Sequence, residues 1–443
     1  MRKFFYIIIA ISTVLSTGCS TSKNESKPSS VAQLTAFSFA KNDSMPGLAA
    51  AVFTVEERLD TGLVWNKDSI LFGTRLDSVV PRFVFATTPG AAWLTFPDTI
   101  VRLTGYDTLD FTQRPIYLTI RSQDNKNLKT YEICPTVHQV DPDLYDWTLL
   151  KEAIYPSDDS EQRVVELGGS FLMLVSNGFA LRAYNSQNGD TWSDLGEMSG
   201  LPSGTKVRQI VSNGDSLFYG QDNTIYVSTD GITWTANSVT ENVVTMLLYW
   251  NQKVWALVGD VDDYELAFFA DGALTLSGLK PASEFPISDF ATVCFQSASQ
   301  RERAMILGGF AENGKSLNTR WNLEYSPHIS ENGGYRMEEF SIGRPFMSLS
   351  GASIISYNDQ LLLFGGVNEK KVYLGRDIYI SENEGLSWEK ADSTKNQLPE
   401  AFQARQKQTA IVREGYIYLF GGQDAYNTYS DVYRGRLNSI DWE

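Results

Sequence analysis

The chain has 443 residues, with 53 Asp and Glu against 37 Lys and Arg, a formal charge of −16. A surface this acidic repels phosphate backbones and anionic headgroups, which argues against nucleic-acid and peripheral lipid partners. Three cysteines and two histidines leave little from which to build a metal or thiol centre, and the length calls for more than one hydrophobic core.

Residues 1–18 read as a cleaved leader: Arg2 and Lys3 precede an apolar run over 4–15, then Ser16-Thr17-Gly18 before Cys19. The apolar run is shorter than the ~20 residues a bilayer span needs. The arrangement resembles a bacterial lipoprotein signal. The resemblance implies that Cys19 becomes the lipidated N-terminus and, with Ser20 following it, that the destination is the outer membrane. Cleavage would take the charge to −18. Residues 19–30 lack apolar side chains after Cys19 and read as a flexible tether. The membrane is then reached only through the N-terminal lipid.

Residues 31–140 read as an all-β domain. Strand-like stretches at 34–39, 50–55, 79–86, 92–96 and 100–103 alternate with Gly, Pro, Asp and Asn clusters. The clearest element is a hairpin in which Ile116, Leu118 and Ile120 point one way, residues 123–127 turn, and Tyr131 and Ile133 return. Short alternating strands over this length suit a β-sandwich that resembles the Ig-like accessory modules of bacterial surface proteins. Cys134 and Cys294 sit in apolar runs and are expected as small buried hydrophobes in different domains.

Residues 141–443 read as a six-bladed β-propeller. An apolar strand closed by Gly-Gly recurs at Gly308-Gly309, Gly365-Gly366 and Gly421-Gly422, spaced 57 and 56 residues apart. Such a period of short strands describes units that cannot bury their own faces alone. Inner strands are expected near Val164, Val207, Val243, Phe290, Ser353 and Thr409. The segments Ser186-Gln187-Asn188-Gly189-Asp190-Thr191-Trp192, Ser228-Thr229-Asp230-Gly231-Ile232-Thr233-Trp234 and Ser381-Glu382-Asn383-Glu384-Gly385-Leu386-Ser387-Trp388 resemble the Asp-box of sialidase-type propellers. The Gly-Gly doublets with Asp377-Ile378-Tyr379 and Asp431-Val432-Tyr433 resemble kelch repeats. Both motifs are structural and imply a fold without naming an activity. The whole layout resembles outer-membrane lipoproteins of Bacteroides-type bacteria.

Ring closure is also legible. Asp377 precedes Trp388 by 11 positions and Asp431 precedes Trp442 by 11, so the chain ends where a last outer strand should begin. The segment 146–150, with Trp147, is expected to supply that strand and remove two exposed sheet edges.

No metal or cofactor is expected. His138 and His328 stand apart, the pairs Asp158-Asp159 and Asp262-Asp263 suit solvated loops, and a copper-radical site would need ligands that are lacking. Arg163, Arg208, Arg344 and Arg405 sit at or just before inner strands, near the mouth of an axial channel. They suit either a carboxylate ligand or salt bridges between blades. The loops after second strands carry Arg320, Trp321, Tyr373 and Tyr426, which suit stacking on a sugar, anchoring a protein, or packing between blades. Sialidase chemistry, which the Asp-box resemblance brings to mind, needs an arginine cluster, a Tyr–Glu nucleophile pair and an aspartate acid/base, and neither that family's Arg-Ile-Pro motif nor its catalytic tyrosine finds a match. The expected function is non-catalytic binding of a glycan or surface protein. A glycoside hydrolase and a structural partner in an envelope assembly are the alternatives.

Overall fold

A computed structural model describes residues 27–105, 107–156, 161–261 and 263–438. Cys19, the leader, most of the tether, Asp158, Asp159, Asp262 and Trp442 lie outside the described residues. The chain divides into two compact units, Met1–Asp141 and Pro142–Glu443.

The first unit has a six-stranded sheet in the order Thr54–Glu56, Thr61–Trp65, Leu128–Cys134, Tyr117–Arg121, Ala91–Thr95, Ile100–Arg102, and a two-stranded sheet of Leu34–Phe39 with Pro81–Phe85. Ile116, Leu118, Ile120, Tyr131 and Ile133 are buried, as their alternation requires. One core joins both sheets, with Phe37 and Phe39 of the small sheet edge-on to Phe53 and Phe111 at 4.8 and 5.2 Å. Two details differ from expectation. Residues 50–55 divide into a one-turn helix, Gly47–Ala50, and the short strand Thr54–Glu56. Thr61–Trp65, absent from the expected strands, lies inside the large sheet and pairs in parallel with Leu128–Cys134, each residue 69 positions from its partner. Its five residues carry too little local pattern to announce such a contact.

The second unit is a ring of antiparallel sheets. Four-stranded sheets form from residues 161–197, 291–341 and 353–390, and a six-stranded one spans 211–279. Within the latter, Thr235–Trp250 pairs by its first half with residues 224–227 and by its second half with Lys253–Val258, passing from one four-strand packet to the next. Near Val207 the expected inner strand is a 3-10 turn, Val207–Gln209, followed by only Val211–Ser212.

The Gly-Gly doublets have a packing cause. Gly365 and Gly421 have φ of +55° and +51°. A Cβ on Gly365 would lie 2.2 Å from Gln408 Nε2, and one on Gly421 2.3 Å from Gln162 Oε1. Each glutamine comes from the inner strand, or its approach, of the next sheet and donates to a carbonyl beside the doublet: Gln408 to Phe364 O at 2.5 Å, Gln162 to Gly422 O at 3.1 Å. The doublet is therefore where adjacent sheets interlock.

The turns before tryptophan share one geometry. Ser186, Ser228 and Ser381 Oγ each accept the N–H of the following Gly (Gly189, Gly231, Gly385) at 2.9 Å. Asp230 Oδ1 takes the N–H groups of Ile232 and Thr233 at 2.8 and 2.7 Å, and Asn188 and Asn383 act likewise. Trp234 and Trp388 are then buried, and Trp388 Nε1 donates to Ile342 O at 3.0 Å.

The last sheet contains Thr409–Arg413, Tyr416–Gln423, Thr428–Leu437 and Tyr145–Lys151. The outermost strand thus comes from the start of this unit, with Trp147 opposite Gly435 and Leu149 opposite Tyr433. Tyr145 and Trp147 pack inward, Trp147 edge-on to Phe364 at 6.1 Å, whereas Leu149 faces out.

Candidate functional site

Antiparallel strands send successive connections to alternate ends of each sheet. Loops that join second to third strands therefore share an end with those that lead into inner strands. At that end the inner strands converge on a narrow space of about 90 Å³ lined by Arg163, Arg208, Thr292, Ser353 and Thr409. It is closed by a collar. Asp289, Gly351 and Lys407 precede three inner strands, all with left-handed φ of +49°, +63° and +60°. Gly351 N–H donates to Asp289 O at 2.7 Å, and Lys407 N–H to Gly351 O at 2.6 Å. Arg208 completes the collar from the far side: Nη1 donates to Lys407 O at 2.6 Å and Nε to Asp289 Oδ1 at 3.3 Å. Lys407 Nζ pairs with Asp289 Oδ2 at 3.2 Å, and Arg163 Nη1 donates to Arg208 O.

Burial and the neighbouring Arg208 guanidinium pull Arg163 down to about 10, against the pull of Glu161. Burial pushes the Glu161 carboxyl up, opposed by Arg208 and Lys407. The axial arginines thus meet, but much of their donor capacity is spent on backbone carbonyls and on Asp289.

The other expected arginines go elsewhere. Arg405 is 1% exposed, paired with Asp431 and held between the rings of Phe402 and Tyr429 at 4.2 and 3.9 Å. Arg344 is exposed, and its backbone carbonyl accepts Trp388 N–H at 2.8 Å. Arg320 is 1% exposed, lies over Phe340 at 4.7 Å and donates to Glu384 O at 2.6 Å. Trp321 is 2% exposed and packs on Phe285 at 5.2 Å, in the core rather than on a loop surface. Cys294 is exposed rather than buried, its Sγ donating to Tyr249 O at 3.4 Å.

Tyr373 lies within electrostatic reach of Asp424 and Tyr426. Both the Asp424 carboxylate and Tyr426 raise the Tyr373 phenol, after desolvation. Asp424 accepts Tyr429 OH at 2.5 Å and the N–H groups of Tyr426 and Asn427 at 2.7 Å. Tyr426 itself is 91% exposed. In the equivalent loop of the 161–197 sheet Phe179 is fully exposed, and Val372, beside Tyr373, is largely so. Sequence reasoning missed Phe179, Asp289, Lys407 and Asp424. Phe179 had a local signal, a lone aromatic in the turn Asn177-Gly178-Phe179, whereas the collar residues become a group only when the ring closes.

Among the described residues no group of three or more His, Cys, Asp or Glu is placed to hold a metal ion, and no helix is long and apolar enough to cross a membrane.

A solved structure described as "Structure of YjhT" is similar over 64% of this chain and 96% of its own, with 13% identity and a TM-score of 0.46. No match is found among curated proteins. Two family models match, "Domain of unknown function (DUF6242) N-terminal domain" over residues 20–134 and "DUF6242 beta propeller domain" over residues 141–443. The chain belongs to the DUF6242 family, with a β-propeller as its larger domain.

Proposed function

We infer that this is a lipid-anchored outer-membrane protein in which an Ig-like module (residues 31–140) carries a six-bladed, kelch/Asp-box propeller (residues 141–443) that binds without catalysis. Dividing the 211–279 sheet within Thr235–Trp250, where pairing passes from residues 224–227 to Lys253–Val258, supports the count of six. The observation that carries the binding reading is the exposed apolar rim of Phe179, Val372 and Tyr426 at the loop end. Large exposed side chains on loops held by a rigid ring are costly to leave in water and suit a partner surface. The rim favours a surface protein as its partner. A glycosidase at the axial mouth would need two available carboxylates, and Asp289 is already committed to Arg208 and Lys407.

The test is retention of an envelope component from the native host by immobilised protein. Wild type should retain it, and Phe179→Ser/Tyr426→Ser should not. Turnover of chromogenic glycosides by wild type would overturn the non-catalytic reading. Cys19→Ala should abolish fatty-acid labelling and free the protein from membranes. Unchanged partitioning would remove the anchor.

A further inference from the structure

A cavity of about 890 Å³ lies at the opposite end from the rim, between the 291–341 and 353–390 sheets. Its origin is a mismatch in strand length. The outer strand Tyr335–Ser341 has seven residues, but its counterpart in the next sheet, Glu389–Lys390, has two. Part of one sheet face is left uncovered, and the residues there are polar. Three cross-strand pairs line it: Arg320 with Phe340, Asn322 with Glu338, and Glu324 with Arg336. On the other face of the same strand Trp321 and Leu323 are buried.

Part of this wall is built by its own contacts. Arg303 is taken up by Glu324 at 2.6 Å and by Glu384 at 2.6 Å, and Arg320 by backbone carbonyls. Arg336 and Glu338 are exposed and enter no ion pair among the described residues, and Asn322 Oδ1 is buried without a partner. Phe340 has one ring face against Arg320 and is 37% exposed. Three arginines stand against five carboxylates in the lining, so an anion is repelled. What remains are donors and acceptors side by side, with an aromatic ring beside them. That is the complement of a polyol with alternating hydroxyl and C–H faces. The volume lies within the range of ligand sites.

We propose that this groove binds an uncharged oligosaccharide, which stacks on Phe340 and hydrogen-bonds to Asn322, Arg336 and Glu338. The proposal rests on reading the protein as a binding module, but it concerns a different end of the ring from the apolar rim.

The test uses the mature chain on an array of neutral, acidic and N-acetylated oligosaccharides, followed by titration calorimetry with the neutral sugar bound best. Saturable binding is expected, weakened at least about tenfold by Phe340→Ala and by Glu338→Ala, and unchanged in Phe179→Ser/Tyr426→Ser. Both groove side chains are exposed enough that their loss should leave the thermal melt in place, which is measured alongside. Failure of every neutral sugar to bind, equal binding by the groove variants, or preference for acidic sugars would overturn the proposal. The rim variants decide the partner reading separately.

Discussion

Arg405 and Asp431 form a bidentate ion pair inside the closing sheet, Nη1 to Oδ1 at 2.5 Å and Nη2 to Oδ2 at 3.0 Å, with the guanidinium 1% exposed. The same Arg405 donates to Gln403 O at 2.9 Å and Gly421 O at 3.1 Å. An arginine that looks like a ligand anchor in the sequence is thus a clamp between the approach to the inner strand Thr409–Arg413 and the third strand Thr428–Leu437, across the second strand that separates them.

Breaking the clamp from one side leaves a buried charge alone. Arg405→Met should cost about 3–5 kcal/mol in urea melts, and Asp431→Leu a similar amount. The double replacement should recover much of that loss. If the double variant is as unstable as the sum of the single ones, the pair is not the unit that matters.

Closure predicts a sharp boundary for truncation. A chain beginning at residue 143 keeps Tyr145–Lys151 and should melt cooperatively. One beginning at 152 loses Tyr145 and Trp147 from the core and exposes two sheet edges. By analogy with core truncation this costs roughly 3–5 kcal/mol, a large share of a domain's ~5–15 kcal/mol. Equal melting temperatures would show that the strand is dispensable.

The interlock at the doublets predicts that Gly421→Ala is destabilising although it adds one methyl group. The new Cβ meets Gln162 at a φ of +51°. Left-handed strain of about 1 kcal/mol or more adds to that clash. Gln162→Ala removes the clashing partner together with its own hydrogen bond to Gly422 O, so in thermal melts the double variant should lose less than the sum of the two single losses.

Asp424 ties the Tyr426 loop to pH. Desolvation pushes its carboxyl up, but Tyr429 OH and the Tyr426 and Asn427 N–H groups outweigh it and hold the carboxyl at about 2, below its ordinary 3.8. A depressed folded value contributes stability that is fully present above pH 3.8 and is lost as pH falls through about 2. The melting-temperature gap between wild type and Asp424→Asn should therefore be constant from pH 7 to pH 4 and shrink between pH 4 and pH 2. A gap that does not change over that range would show that the carboxylate contributes nothing to holding the loop.

The β-propeller was legible in the sequence because its signals are local and repeated. Gly308, Gly365 and Gly421 punctuate apolar strands at a near-constant spacing, and Ser-x-Asn/Asp turns before Trp234 and Trp388 bond to their own backbone. Short-range chemistry of this kind reads the same wherever the chain later goes. The segment with Trp147 could be matched to the final sheet because a repeat that runs out leaves a countable gap. The fates of individual polar residues were another matter. Arg163 and Arg208 meet at the axis, Arg405 is consumed by Asp431, and Arg344 stays in solvent. All four have similar positions along the repeat. What separates them is the residue brought opposite from another sheet, up to 199 positions away in the case of Arg208 and Lys407. The groove beside Phe340 likewise exists because Glu389–Lys390 is too short to cover its neighbour. Strand composition and spacing determined the β-propeller by themselves. The chemistry of each charged side chain was decided by tertiary structure, because burial and pairing depend on what lies across a gap that sequence distance does not measure.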